Sequence, residues 1–132
     1  MKTYFIDIDG TIFKHLTNEL LEGAKEFLDR IYENDDMLIL TTARHDTESK
    51  STEEALSKHG IEYDMILYNL GNDERILIND SKPDGKQTAY SLNVKRNEGM
   101  SKYQIWEPGD IFLKKPDKSF KIFSRDGVLK KA

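Results

Sequence analysis

The chain of 132 residues contains no cysteine, which excludes a disulfide framework, a thiolate nucleophile and a zinc–thiolate site, and is in keeping with a reducing compartment. Its stability has to come from packing. No apolar run is long enough to cross a bilayer, and the N-terminal Met1-Lys2-Thr3 leads into a strand-like run rather than a signal-peptide core. A cytoplasmic location and no membrane partner are therefore expected. Internal repeats and low-complexity linkers are also missing, so a single domain is the working frame at this length.

Charge is abundant, at 33% of residues against 37% apolar, with a net charge of −4. The balance is uneven. Residues 101–132 carry eight Lys or Arg against four Asp or Glu, a balance of +4 that leaves −8 for the remainder. An acidic body repels a polyanion, so nucleic acid is not expected as a partner, while the basic tail could dock on its own body or on an acidic neighbour.

Apolar periodicity supplies the organisation. Thr3 to Ile8 reads as a buried strand stopped by Gly10. Leu20, Leu21, Ala24, Phe27, Leu28 and Ile31 recur at helical spacing up to Asn34-Asp35-Asp36. Met37 to Leu40 is a second strand, Ser51 to His59 a helix closed by Gly60, and Tyr63 to Leu67 a third strand. A fourth, Arg75 to Ile78, runs into Asn79-Asp80, and Thr88 to Leu92 is a candidate fifth. Strands alternating with single crossover helices predict an α/β fold with a mostly parallel sheet.

Beyond Gly99 the pattern changes to short apolar runs that contain Trp106, Phe112, Phe120 and Phe123, separated by Pro108-Gly109-Asp110, Pro116-Asp117 and Asp126-Gly127. This reads as a β-hairpin appendage at 101–132 on a core at 1–100. The aromatics read as packing groups rather than as a base-stacking platform. Their area predicts that the appendage is covered by the acidic body or by a second subunit, the second case giving a homo-oligomer through this segment.

Ligands of open parallel sheets bind beyond the carboxyl ends of the strands. Three predicted strand ends here carry polar residues: Asp7 and Asp9, Thr41 and Thr42, Asn79 and Asp80. Asp7 and Asp9 are two apart, which in an extended segment puts both side chains on one side. Two such acids repel unless a cation sits between them, and magnesium, with its preference for oxygen ligands, is the natural one. An EF-hand is excluded, because Thr11, Ile12 and Asn18 stand where that loop needs an acid or Asn, a glycine and a glutamate.

Asp7-Ile8-Asp9-Gly10-Thr11 after an apolar strand resembles the first motif of the haloacid-dehalogenase superfamily. Leu40-Thr41-Thr42-Ala43-Arg44 is similar to its second motif, and Ile76-Leu77-Ile78-Asn79-Asp80 to its fourth. The resemblance covers roughly residues 3–95. It implies a Rossmann-like three-layer sandwich and a phosphatase that hydrolyses a phosphate monoester through an aspartyl-phosphate. Asp7 would be the nucleophile, Asp9 the general acid and base, and Thr42 would sit on the phosphate. The metal ligands would be Asp7, Asp9 through its backbone carbonyl, and Asp80, while Gly10, Thr11, Thr41, Thr42, Ala43 and Arg44 would line the substrate site.

Two departures stand out: Asn79 replaces an acid often paired in the fourth motif, and the third-motif lysine has no obvious position. Lys82 is the first candidate for that cation, followed by Lys58 and Arg75. The intervals after the first and second motifs have no room for a cap domain, so an open site is expected, suited to a small or bulky phosphate ester. The pattern is similar to small bacterial phosphatases of capsule and surface-sugar pathways, which points to a sugar phosphate. Alternatives from other classes are a metal-dependent glycosyltransferase that uses Asp-x-Asp, and a non-catalytic binding module on the same fold. His15, His45 and His59 lack metal-ligand spacing.

Overall fold

A computed structural model of the chain describes residues 1–105 and, as backbone, Lys121–Phe123 and Leu129–Lys131. Strand β1 (Thr3–Asp7), helix α1 (Ala24–Glu33), strand β2 (Met37–Thr41), helix α2 (Ser49–Lys58) and strand β3 (Met65–Leu67) follow in that order. The strands form one parallel sheet, ordered β1-β2-β3, with Asp7 opposite Thr41 and Thr41 opposite Leu67. This is a Rossmann-like α/β arrangement, and all three strands deliver their carboxyl ends to one edge. No helix among the described residues is long and apolar enough to cross a membrane.

Period-two alternation decides what each strand buries. Ile6, Leu38 and Leu40, with Ile8 just past β1, face Ala24, Phe27, Leu28 and Ile31 of α1 and Leu56 of α2 in one cluster. Tyr4 adds an edge-on contact with the Phe27 ring at 6.4 Å. Each of these aliphatic side chains contributes about 1.5–3 kcal/mol by leaving water. Both crossovers advance in the same direction across the sheet, and right-handed connections then put both helices on one face. Phe5, Met65 and Leu67 lie on the other face and remain exposed.

Helix α1 starts later than its apolar spacing predicts. Leu20 bridges Phe13, and the Leu21 N–H donates to the Ile12 carbonyl at 2.8 Å, so both are held by the loop after β1. Gly23 at φ +79° then opens the helix. A side chain at Gly23 would collide with the backbone of Ser101, and one at Gly99 with the backbone of Glu22. The two glycines let residues 99–101 lie against the start of α1, where the Met100 N–H donates to the Glu22 carbonyl at 2.8 Å. Met100, Tyr103 and Ile105 consequently belong to the main core, and the body extends at least through Ile105 rather than ending at residue 100.

The strand expected at Arg75–Ile78 does not form, and neither does one at residues 88–92. Ile76, Leu77 and Ile78 are exposed, Ile78 at 90%. Local side-chain bonds hold this stretch instead. Asn79 Nδ2 donates to Thr88 Oγ1 at 2.9 Å, Thr88 Oγ1 donates to the Asp80 carbonyl, and Lys82 and Lys86 close a turn around Gly85. In the appendage, β4 (Lys121–Phe123) and β5 (Leu129–Lys131) pair antiparallel, with Lys121 opposite Lys131. Trp106, Phe112 and Phe120 lie outside the described residues, and so does the expectation that the appendage is covered.

Candidate functional site

The loop after β1 is fixed by its apolar members. Ile8, Ile12 and Phe13 are fully buried, and the Ile8 carbonyl accepts the N–H groups of Thr11, Ile12 and Phe13 at 3.3, 2.9 and 3.0 Å. Gly10 makes the turn at φ +85°, where its N–H donates to the Phe13 carbonyl at 2.7 Å. With the isoleucines pinned inward, Asp7, Asp9 and Thr11 are left half-buried at the strand end.

Asp7 and Asp9 have separate partners. On Asp7, Oδ2 accepts the Thr11 hydroxyl at 3.3 Å and Oδ1 accepts Arg75 at 2.8 Å; the same Arg75 nitrogen reaches Thr41 Oγ1 at 3.4 Å. The side chains of Asp7 and Arg75 are 35% and 36% exposed.

Asp9 is enclosed. Its Oδ1 accepts Arg44 Nη2 at 2.8 Å, Arg44 Nε lies 3.1 Å from both oxygens, and Thr42 Oγ1 donates to Oδ2 at 3.3 Å. The Thr42 hydroxyl also accepts the Arg44 N–H at 3.0 Å, which uses it within the protein. The side chains of Arg44 and Asp9 are 12% and 17% exposed. Arg44 is therefore turned away from the mouth of the site, where the sequence placed it. It also lies over the Phe13 ring, 5.7 Å from the centroid.

Among the proposed cations, Arg75 is the one that bonds the Asp7 carboxylate. Lys82 is exposed in the turn with Lys86, and Lys58 is exposed in the last turn of α2. Asp80 lines an open polar hollow with Asn79, Ser81, Gly85, Gln87, Thr88 and Ala89, in the irregular stretch that replaced the predicted strand. Among the described residues no three His, Asp or Glu side chains lie close enough together to hold an ion. The expected ligand set of Asp7, the Asp9 backbone carbonyl and Asp80 draws on two carboxylates only. The half-exposed Asp7 carboxylate still fits a magnesium seat of the kind that uses one or two carboxylates and fills its remaining positions with water and substrate phosphate.

The histidines have local roles. His45 caps the turn before α2, accepting the Thr47 N–H on Nδ1 while its own N–H donates to Glu48. His59 caps the C-terminus of α2 and tilts against Phe13 at 5.8 Å. Nearby, burial and a hydrogen bond to Glu53 push the Tyr68 hydroxyl far above its usual range. Burial, with Glu53 and Glu62, raises that of Tyr63.

Thr17, Asn18 and Thr52 escaped the sequence reading, yet all three bond Arg44. Only Thr52 left a trace. It is a polar residue one turn before Leu56 on the buried stripe of α2, and it is fully buried.

No protein-family model matches the sequence, and no curated protein matches it. Among solved structures, the chain is similar to D,D-heptose 1.7-bisphosphate phosphatase from B. bronchiseptica, crystallised with magnesium and phosphate, at 18% identity and a TM-score of 0.42 over 56% of this chain. It is also similar to a target protein from Vibrio cholerae, at 22% identity and a TM-score of 0.44, over 64% of this chain and 85% of that one. The chain spans about half the length of the heptose bisphosphate phosphatase, 53%.

Proposed function

We propose that the chain is a magnesium-dependent phosphatase of the haloacid-dehalogenase type that hydrolyses a phosphate monoester, a sugar phosphate being the favoured class, through an aspartyl-phosphate on Asp7. The observation that carries this reading is the division of labour at the end of β1. An accessible carboxylate, Asp7, stands beside a hydroxyl and a guanidinium, and a second carboxylate, Asp9, is held two residues away by a different set of partners.

An Asp7 carboxylate oxygen attacks phosphorus as the bond to the leaving oxygen breaks, and the Asp9 carboxyl gives its proton to that oxygen. Asp9, now a carboxylate, takes a proton from water. That water attacks the phosphoryl group, inorganic phosphate leaves, and Asp7 is restored. Arg75 balances charge on the Asp7 side and takes the place assigned first to Lys82. Its one bonded nitrogen can pass from carboxylate to phosphoryl oxygen, and Thr41 and Thr11 offer hydroxyls at the same edge. Asp7, with Asp80 as a further ligand, would hold magnesium, which supplies charge neutralisation between the nucleophile and the dianionic ester. Phosphate release from p-nitrophenyl phosphate and from a panel of sugar phosphates tests the reading. Turnover that disappears in folded Asp7→Asn supports it, and turnover that survives overturns it.

A further inference from the structure

Arg44 is unusual among the charged groups in that all five of its N–H donors are spent on the protein. Nε and one Nη2 hydrogen go to Asp9, the other Nη2 hydrogen goes to the Thr17 carbonyl at 2.8 Å, and Nη1 reaches Asn18 Oδ1 at 2.9 Å and Thr52 Oγ1 at 3.0 Å. Three parts of the fold converge on one planar fork: the loop after β1, the turn at 17–18, and α2. A group so saturated has no donor left for a substrate oxygen. Anchored from three directions, it also has one orientation to impose on the carboxylate it grips.

We propose that Arg44 is a positioning residue that fixes the orientation of the Asp9 carboxylate for proton transfer; the inference rests on the phosphatase reading above. The contacts on the two oxygens differ. Oδ1 takes the short bond from Nη2 at 2.8 Å, whereas Oδ2 has only the shared Nε at 3.1 Å and the Thr42 hydroxyl at 3.3 Å. Oδ1 is the gripped oxygen, and Oδ2 is the more loosely bonded one, through which proton exchange with the leaving oxygen and with water would pass. Rotation of the carboxylate would exchange the two, and the fork together with Thr42 prevents it. A guanidinium does this and an ammonium does not, because only a planar fork fixes the plane of its partner.

A proton donor matters in proportion to the basicity of the leaving group. The experiment therefore compares an alkyl ester, glycerol 2-phosphate, with 2,4-dinitrophenyl phosphate, whose phenolate departs without a proton. The enzymes are wild type, Asp9→Asn, Arg44→Lys, Asn18→Ala and the double variant Asp9→Asn/Arg44→Lys, each checked for folding by thermal unfolding. Asp9→Asn is expected to lose about 10²- to 10⁴-fold in kcat on the alkyl ester and little on the dinitrophenyl ester. Arg44→Lys should follow the same pattern to a smaller extent, at unchanged KM, and should add nothing in the Asp9→Asn background, since it acts through Asp9. Asn18 is exposed, so Asn18→Ala keeps the fold while it frees one arm of the fork, and should show a several-fold alkyl-selective loss. A raised KM on both esters with kcat unchanged in Arg44→Lys, or additive losses in the double variant, overturns the positioning role while the phosphatase reading stands. Should Arg44→Lys fail to fold, an Asn18→Ala enzyme equal to wild type on both esters overturns it. A wild-type enzyme that releases phosphate from neither ester, with or without magnesium, overturns the phosphatase reading and this inference with it.

Discussion

The two carboxylates of the site sit two residues apart and are held in opposite ways. Asp9 is gripped by an arginine from the end of β2, with side chains 12% and 17% exposed and every donor of the guanidinium committed. Asp7 meets an arginine from the irregular stretch after β3, through one nitrogen, with both side chains about a third exposed. A half-exposed pair of the second kind is worth about 0–1 kcal/mol and can open at little cost. Breaking a more enclosed pair of the first kind costs more, because its partners are left unpaired. Under the proposed mechanism the difference maps onto chemistry: a nucleophile has to be reachable and able to release its counter-ion, whereas a proton donor has to stay where it is.

The sharpest way to break this comparison is to remove the carboxylates one at a time. Asp7→Asn should bring phosphate release to the assay floor in a protein with a wild-type melting curve. Asp9→Asn should retain activity on esters with good leaving groups. Loss of both activities to the same degree on every ester would erase the distinction between the two acids. Chelation comes next: excess EDTA should remove most turnover and added magnesium should restore it, because nucleophile and ester are both anionic. Full activity after chelation would leave Arg75 as the sole balancing charge.

The two regions that supply the arginines should differ in stability as well. Leu28→Ala, in the core under the sheet, should cost about 2–5 kcal/mol, whereas Ile78→Ala, at 90% exposure, should stay within about 0.5 kcal/mol in urea unfolding. An Ile78→Ala loss as large as that of Leu28→Ala would mean that residues 76–78 are packed as a strand after all. Truncation offers a parallel test. A cut after Gly99 removes Met100, Tyr103 and Ile105 from the core and should destabilise far more than a cut after Ile105. Equal melting temperatures would return the boundary to residue 100.

The smallest effects concern the cations and Tyr68. Arg75→Ala should raise KM for phosphate esters several-fold while Lys82→Ala stays near wild type, and the reverse result would restore Lys82 to the nucleophile. The hydroxyl of Tyr68 is raised by burial and by its bond to Glu53, so the folded state holds that proton more tightly than the unfolded chain. The stability this gives is fully present below about pH 10, where an unfolded tyrosine titrates, and is lost as pH rises through the higher folded value. In a tyrosinate absorbance titration, Tyr68→Phe should remove a phase that appears above the ordinary tyrosine range, at a cost of about 1 kcal/mol or less at neutral pH.

The sequence by itself determined the α/β class, the parallel pairing of three strands and the polar groups at the ends of β1 and β2. Those features follow from local periodicity and from where apolar runs stop, and both can be read along the chain. Helix α2 and its closing Gly60 were legible for the same reason. Tertiary structure alone decided what the polar groups touch. Nothing in Ala43-Arg44-His45 says that the arginine turns inward, since that depends on Thr17, Asn18 and Thr52 being brought around it by a loop and a helix distant in sequence. Spacing puts Asp7 and Asp9 on one side of an extended segment, yet the turn at Gly10 gives each its own partners. The apolar run Ile76-Leu77-Ile78 has the composition of a strand. Composition fixes propensity, whereas a strand also needs a neighbour for its backbone, and here the side chains of Asn79 and Thr88 and the Lys82–Lys86 turn supply the bonds instead.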